Sequence, residues 1–388
     1  MARTPFPPLL PGSTIGMLGS GQLGRMFAFA AHRLGYHVHT FSPDADSPMG
    51  QVSDARYIHP YSDLDAVRKF ARTVDVITYE FENVSAEALA AAGEVVPVRP
   101  SVNILRTTQH RLLEKSFLAD KGFPVAPFLA IRNEADLKRA VAELGTPAVL
   151  KSARSGYDGK GQWRVESAVE AHAAFHEAKT DELIYETFVD FAMELSVVLC
   201  RDSHGNCADW GAIENVHTNH ILDISISPAR VPSEAAAAAV ELAKQIAQQL
   251  DLVGTMCVEL FLTRDGKLLV NELAPRPHNS GHLTIEASVT SQYEQQLRAI
   301  CGLPLGSTRM LGAAAMVNLM GELWSEGEPD WAGVCARPEL KLHLYGKKEA
   351  RPGRKMGHLA AVDSDIESAI KMVMDARSAL ARVTEPRP

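Results

Sequence analysis

The sequence predicts a chain of mixed α/β and α+β class in three parts: an N-terminal doubly wound parallel sheet over residues 12–100, a central domain over 101–305 and a small β-rich domain over 306–388. Three observations carry this. A short apolar strand, Thr14 to Leu18, runs into Gly19-Ser20-Gly21-Gln22-Leu23-Gly24 and then a helix, the opening of a doubly wound fold. Asp265-Gly266 sits between two apolar runs, the strongest short hairpin signal. Beyond Gly306 the chain turns to short strands, of which Lys341-Leu342-His343-Leu344-Tyr345 alternates most clearly. At 388 residues and 46% hydrophobic composition, the chain can build two or three cores.

In order, the strand at Thr14 is followed by a helix from Arg25 to Leu34 that stops at Gly35, and the helix N-terminus behind the glycines is an anion site. The glycine pattern alone suggests a dinucleotide fold. The acidic residue expected at the end of the next strand, Tyr36 to Phe41, is missing, because Asp44 arrives late. Val74 to Tyr79 is a buried strand ending in Glu80-Phe81-Glu82. Glu80 has two readings, a ligand at the carboxyl edge of the sheet or a solvated loop acid. Val95 to Val98 closes the sheet before Pro100. Ser101 to Lys121 reads as one or two helices, Glu134–Leu144 as a helix capped by Asn133 and stopped by Gly145, and Ser167–His176 as another. Ser233 caps an alanine-rich helix to Leu250, and Asp365–Ala379 is a final surface helix.

Two stretches point to chemistry. After the apolar run Pro147 to Leu150, Lys151 ends a strand and Gly156-Tyr157-Asp158-Gly159-Lys160-Gly161-Gln162 follows. Gly156, Gly159 and Gly161 allow backbone N–H groups to lie against an anion, and Lys151 and Lys160 bring point charges suited to phosphate. A flexible hairpin with solvated lysines is the other reading. No Gly-Lys-Ser/Thr opens a helix here, so a metal must be held elsewhere. In Val258 to Glu272, a two-residue turn at Asp265-Gly266 places Glu259 opposite Glu272. Opposed residues have Cβ atoms roughly 4.5–5.5 Å apart, and like charges there are destabilising. A divalent cation reverses that sign, and Mg²⁺, which takes one or two carboxylates plus phosphates, fits. A pair splayed into water is the alternative. Asn271 adds a third oxygen, on the opposite face unless the strand end twists.

Lys151, the Gly156–Gln162 loop, the Glu259/Glu272 hairpin and Asn271-Glu272-Leu273-Ala274-Pro275-Arg276 together resemble the ATP-grasp carboxylate–amine ligases, and more narrowly the N5-carboxyaminoimidazole ribonucleotide synthase family. The likeness runs from about Thr14 to about His358. It implies an ATP-grasp fold with a two-part nucleotide-binding domain in the centre. It implies that Arg111 contacts ATP phosphates, that Glu186, Thr187, Phe188 and Val189 meet the adenine, and that Glu194 takes the ribose hydroxyls. His110 departs from the acidic residue usual in the family. Glu194 read from its strand alone is an outward-facing residue, and His217 is an ATP-side or a structural histidine.

The resemblance further implies that backbone around Gly21, Gln22 and Leu23 holds the phosphate of 5-aminoimidazole ribonucleotide, with Lys347 and Arg354 reaching it from the basic run Gly346–His358. A solvated charge run is the plainer reading of that stretch. In Pro275-Arg276-Pro277-His278-Asn279-Ser280-Gly281-His282 a rigid polar loop can pin a small oxyanion, Arg276 holding its charge and Asn279 donating. The family implies bicarbonate or carboxyphosphate there, with His278 beside it. Tyr157 and Asp158 are expected to face the substrate, Asp158 as a proton-transfer group or a loop brace. Closure of the glycine loop is expected to exclude water.

The implied cofactors are ATP and Mg²⁺ and the implied substrates 5-aminoimidazole ribonucleotide and bicarbonate, with dimerisation a family expectation. A formate-dependent glycinamide ribonucleotide transformylase is the nearest rival. That family places Glu where this chain has Gln22, because a primary ammonium calls for a carboxylate. A non-catalytic ATP-binding protein on the same fold would be expected to lose Lys151 or a metal carboxylate, and a dehydrogenase would bind NADH. A net charge of −8 argues against general nucleic-acid binding. No run approaches the ~18 apolar residues of a membrane span, and Met1 to Pro11 reads as a loose arm without signal-peptide design. Five cysteines, odd in number and without zinc spacing, point to reduced thiols in the cytoplasm.

Overall fold

The computed structural model describes residues 7–154 and 161–380. Three sheets form in chain order. The first holds β1 (Thr14–Leu18), β2 (His37–Ser42), β3 (Ala55–Ile58) and β4 (Val76–Tyr79), all parallel in the order β3-β2-β1-β4. Helix Gln22–Arg33 starts earlier than its apolar spacing suggests, because Gly21 is its N-cap and Gln22, Leu23 and Gly24 form its first turn. Val95 to Val98 is not a strand. It makes one bridge, Ile77 to Val98, with Ile77 N–H donating to Pro97 O and Arg99 N–H to Ile77 O; Pro97, lacking an N–H, limits the ladder.

The second sheet, order β5-β8-β6-β7, is antiparallel: β5 (Phe128–Ile131), β6 (Ala148–Ser152), β7 (Gln162–Val165) and β8 (Leu183–Thr187). Asn133 caps helix Glu134–Leu144 through Asp136 N–H, and Gly145 at φ +72° ends it. Ser167 caps helix Ala168–Glu177 through Glu170 N–H. Between the two sheets Ser101–Lys121 forms two helices, Val102–Thr108 and Arg111–Asp120.

The third sheet takes the remaining strands: β9 (Phe191–Arg201), β10 (Cys207–Thr218), β11 (Ile221–Ser227), β12 (Gly254–Thr263), β13 (Leu268–Ala274), β14 (Ala313–Met320), β15 (Leu340–Leu344) and β16 (Lys355–Asp363). Its order is β13-β12-β9-β10-β11-β14-β16-β15. One ladder therefore runs from the Glu259/Glu272 hairpin to the C-terminal strands. Glu214 to His217 lie inside β10 rather than after a strand. Helix Ser233–Gln249 covers the centre of this sheet through Ala239, Ala243, Ile246 and Ala247; Ser233 is its first residue and makes no cap bond. Among the described residues no helix is long and apolar enough to cross a membrane.

Gly24 tests the close packing of the first sheet on its helix. A Cβ there would stand 2.5 Å from Met49 Sδ and 3.1 Å from Glu80 Oε2. Gly24→Ala is expected to destabilise the protein by about 1–3 kcal/mol, read as a lower denaturant midpoint at an unchanged m-value.

Candidate active site

The hairpin at the end of the third sheet does pair Glu259 with Glu272, but by a different route from a two-residue turn. Thr263 N–H donates to Lys267 O at 2.9 Å and Gly266, at φ +81°, closes the loop onto Thr263 O. The loop is thus Arg264-Asp265-Gly266, the three-residue form with a left-handed glycine. That length shifts the register by one: Leu262 pairs with Leu268 and Leu260 with Val270. A bulge restores it, with Asn271 as the extra residue between Val270 and Glu272. Asn271 and Glu272 then both line the same cleft as Glu259, which removes the expectation that Asn271 faces away.

This cleft, of about 1480 Å³, lies where the three sheets meet. Its floor carries a half-buried pair of like charges. Burial and then the charge of Glu259 push the Glu272 carboxyl upward. For Glu259 burial acts in the same upward direction, but the hydrogen bond and charge of His278 outweigh it and hold that carboxyl low. His278 Nε2 stands 2.9 Å from Glu259 Oε1, while its Nδ1 faces Ser280 Oγ at 2.9 Å. Glu114 is buried beside them and accepts from Leu273 N–H at 3.2 Å.

A positive wall faces this floor. Lys151, one residue before the end of β6, donates to Glu186 on β8 at 2.5 Å, and Lys115 Nζ approaches the other oxygen of Glu186 at 3.5 Å. Burial alone would raise the Glu186 carboxyl, yet the two ammonium groups hold it at about 2. Glu186 therefore anchors the lysines with its side chain. Phe188 N–H donates to Pro147 O at 3.1 Å, so its carbonyl is the group it has left for a base. Thr187, Phe188 and Val189 form the cleft edge, with the Arg164 guanidinium 4.1 Å over the Phe188 ring. Arg111 Nη1 donates to Ser152 O at 3.0 Å and lines the cleft with Gln162. Gly161 takes φ +68° and accepts from Ser152 N–H. Gly156, Tyr157, Asp158, Gly159 and Lys160 lie outside the described residues. Glu194 and His217, assigned separately from the sequence, meet: the Glu194 carboxylate bonds His217 Nδ1.

Arg276 forms an ion pair with Glu82 and donates from Nη1 to Pro277 O at 3.0 Å. Its buried Nε has no hydrogen-bond partner among the described residues, and neither do the buried Nδ2 and Oδ1 of Asn279. Both side chains line the cleft. At the far end Gln22, Leu23, Lys347 and Arg354 come together, Lys347 donating to Lys355 O and Arg354 to Glu349 O. Glu80 is the correction here. Its two oxygens accept from Gly21 N–H and Gly24 N–H, it is buried and does not line the cleft, and burial raises its carboxyl. It braces the glycine loop from beneath. The Gly21 N–H is thereby occupied, which leaves Gln22 and Leu23 as the loop residues at the cleft.

Comparison with known proteins places this geometry. The N5-carboxyaminoimidazole ribonucleotide synthase of Bacillus subtilis is 46% identical over 357 residues, spanning 90% of this chain and 92% of that one. The chain belongs to the N5-carboxyaminoimidazole ribonucleotide synthase family. Consistent with that family, residues 13–109 match a ribonucleotide synthetase preATP-grasp domain, 116–293 an ATP-grasp domain and 314–372 a phosphoribosylaminoimidazole carboxylase C-terminal domain. A solved ADP complex of an N5-carboxyaminoimidazole ribonucleotide synthetase superposes with TM-score 0.90 at 42% identity, covering 95% of this chain and 97% of that one. The Aspergillus clavatus synthase in complex with ADP and 5-aminoimidazole ribonucleotide gives 0.87 at 32% identity, covering 97% and 100%.

Lys115, Glu114 and Glu82 are among the cleft residues that escape the sequence reading. Arg111 and Lys115 are four apart on one helix, where like charges repel. That spacing was the available signal that an anion meets this face. Nothing local marks Glu114 or Glu82.

The floor also fixes a stability response. A carboxyl raised in the folded state weakens folding at pH above its unfolded range, about 4.3, and ceases to do so as pH falls below it. Glu272→Gln is therefore expected to raise the melting temperature of the metal- and nucleotide-free protein at pH 8, by about 1–2 kcal/mol in stability. The gain should shrink steadily as the pH is lowered toward 4.5.

Proposed function

We propose that this chain is an ATP-dependent carbon–nitrogen ligase that carboxylates the amine of 5-aminoimidazole ribonucleotide with bicarbonate, giving N5-carboxyaminoimidazole ribonucleotide, ADP and phosphate. The observation that carries the reading is the vacant hydrogen-bonding capacity of Arg276 Nε and Asn279 beside the Glu259/Glu272 pair. A small oxyanion seated there would lie next to the carboxylates that would hold the metal of a bound triphosphate. In this reading Lys151, Arg111 and Gln162 hold the ATP phosphates, Thr187 to Val189 the adenine, and Glu194 the ribose once it exchanges His217 for hydroxyls. Gln22, Leu23, Lys347 and Arg354 hold the ribonucleotide phosphate.

The residues present fit Mg²⁺. Two half-buried carboxylates repel each other in the bare protein, and Asn271 supplies a further oxygen at the same wall. Glu259 and Glu272 would hold the ion, which when bound neutralises phosphate charge. A bicarbonate oxygen attacks the γ-phosphorus and ADP leaves, forming carboxyphosphate, with Arg276 stabilising the added charge. The substrate amine then attacks the carboxyl carbon and phosphate departs. Asp158 is the proposed acceptor of the amine proton. Gln22 at the cleft, rather than a carboxylate, favours an aromatic amine over glycinamide ribonucleotide. Five free thiols accord with a reducing cytoplasm. A homodimer is the arrangement the family resemblance implies.

ADP release should require bicarbonate and 5-aminoimidazole ribonucleotide and should not be supported by formate and glycinamide ribonucleotide; the reverse preference would overturn the assignment. Glu272→Gln should abolish turnover while leaving the circular dichroism spectrum intact. Asn279→Ala should lower carboxylation by about 10- to 100-fold, with the KM for ATP nearly unchanged.

A further inference from the structure

Helices Glu134–Leu144 and Ala168–Glu177 pack side by side on the β5–β8 sheet. Where they meet, three side chains converge: Glu134 from the first turn of one helix, and His172 and His176, four residues apart on one face of the other. His176 Nε2 is 3.2 Å from His172 Nε2, and Glu134 Oε1 is 3.1 Å from the former and 3.5 Å from the latter. The two rings meet edge to face at 65° with centroids 4.4 Å apart.

No placement of protons satisfies these three contacts in neutral imidazoles. Each Nε2 bears either one hydrogen or one lone pair. If both nitrogens donate to the carboxylate, two N–H groups face each other. If one donates to its neighbour, the other presents a lone pair to the carboxylate oxygen. A cation at the centre of the triangle satisfies all three at once. The dimensions also match: donors about 2.0–2.1 Å from a tetrahedral zinc stand roughly 3.3–3.4 Å apart.

We propose that Glu134, His172 and His176 form a second metal site, for Zn²⁺ or a neighbouring borderline divalent ion, with water as the fourth ligand. All three side chains are more than half exposed, so the ion and its water have open access. Two imidazoles and one carboxylate select against Mg²⁺, which prefers oxygen and dehydrates reluctantly. The carboxylate pair in the cleft and this imidazole pair therefore sort different ions. Bound metal would tie the two helices together across the subdomain that carries Lys151 and Glu186.

The test is a titration of the metal-stripped full chain with Co²⁺ and Zn²⁺ in excess Mg²⁺, which keeps the carboxylate pair filled. One equivalent of Co²⁺ should bind below about 0.1 mM with the visible absorption of a four-coordinate ion. A double variant, His172→Gln with His176→Gln, should lose that signal and weaken Zn²⁺ binding by about tenfold or more, with its melting temperature and ADP release unchanged. Glu272→Gln should retain the signal. The proposal is overturned if the wild type binds no more Co²⁺ or Zn²⁺ than the double variant, or if Glu272→Gln is the variant that removes binding.

Discussion

The structure turns on two carboxylates held opposite each other at the floor of a cleft. Two unit charges about 5 Å apart repel by about 3 kcal/mol at an effective dielectric constant near 20, a large share of the stability of an ordinary domain. The charge of Glu259 still acts on Glu272, raising its carboxyl after burial has done so. The backbone ladder on both sides of the pair, from Cys257 opposite Ala274 to Leu262 opposite Leu268, holds the two positions in register. Relief comes from the surroundings: His278 bonds Glu259, and the charges of Arg111 and Lys151 act on Glu272. The remaining repulsion is what a divalent cation at this floor would remove.

The other charges of the cleft are held in place beforehand. Lys151 and Lys115 share Glu186, Arg276 is paired with Glu82, and Glu194 with His217. Each pairing keeps a flexible side chain near one geometry, so an arriving anion meets donors already oriented. Each also sets a price in exchange, since a ligand must replace an existing partner. Asn279, with both amide atoms unpartnered, and the Nε of Arg276 are places in the described cleft where a ligand gains hydrogen bonds without displacing any.

The broad architecture was legible because strand and turn signals are local: the glycine run after β1, the Asn133 cap, the Gly145 stop and the Asp265-Gly266 loop all fall where the residues say. The Glu259/Glu272 pairing is a subtler case. It came out as expected through two offsetting departures, a loop one residue longer than assumed and a bulge at Asn271. No residue type in Val270-Asn271-Glu272 announces a bulge; it follows from burying the alternate positions on both sides of it. Glu80 was misread for a related reason. A helix N-terminus advertises unsatisfied N–H groups, but only the fold reveals that the chain's own carboxylate fills them. Lys115 and Glu114 stayed hidden because helical periodicity tells which face a residue shares, and not what lies over it. Val95 to Val98 shows the limit of an apolar run, since prolines there withhold the donors a strand needs.

The eight-stranded sheet has a mechanical meaning. The Glu259/Glu272 hairpin lies on β12 and β13 at one end, and β16, which follows the basic residues Lys347 and Arg354, lies near the other. Floor and far wall are thus joined by one continuous backbone hydrogen-bond ladder. The β5–β8 sheet, which carries Lys151 and Glu186, is hydrogen-bonded separately from that ladder. The Lys115–Glu186 contact joins the helix preceding it to its strand β8.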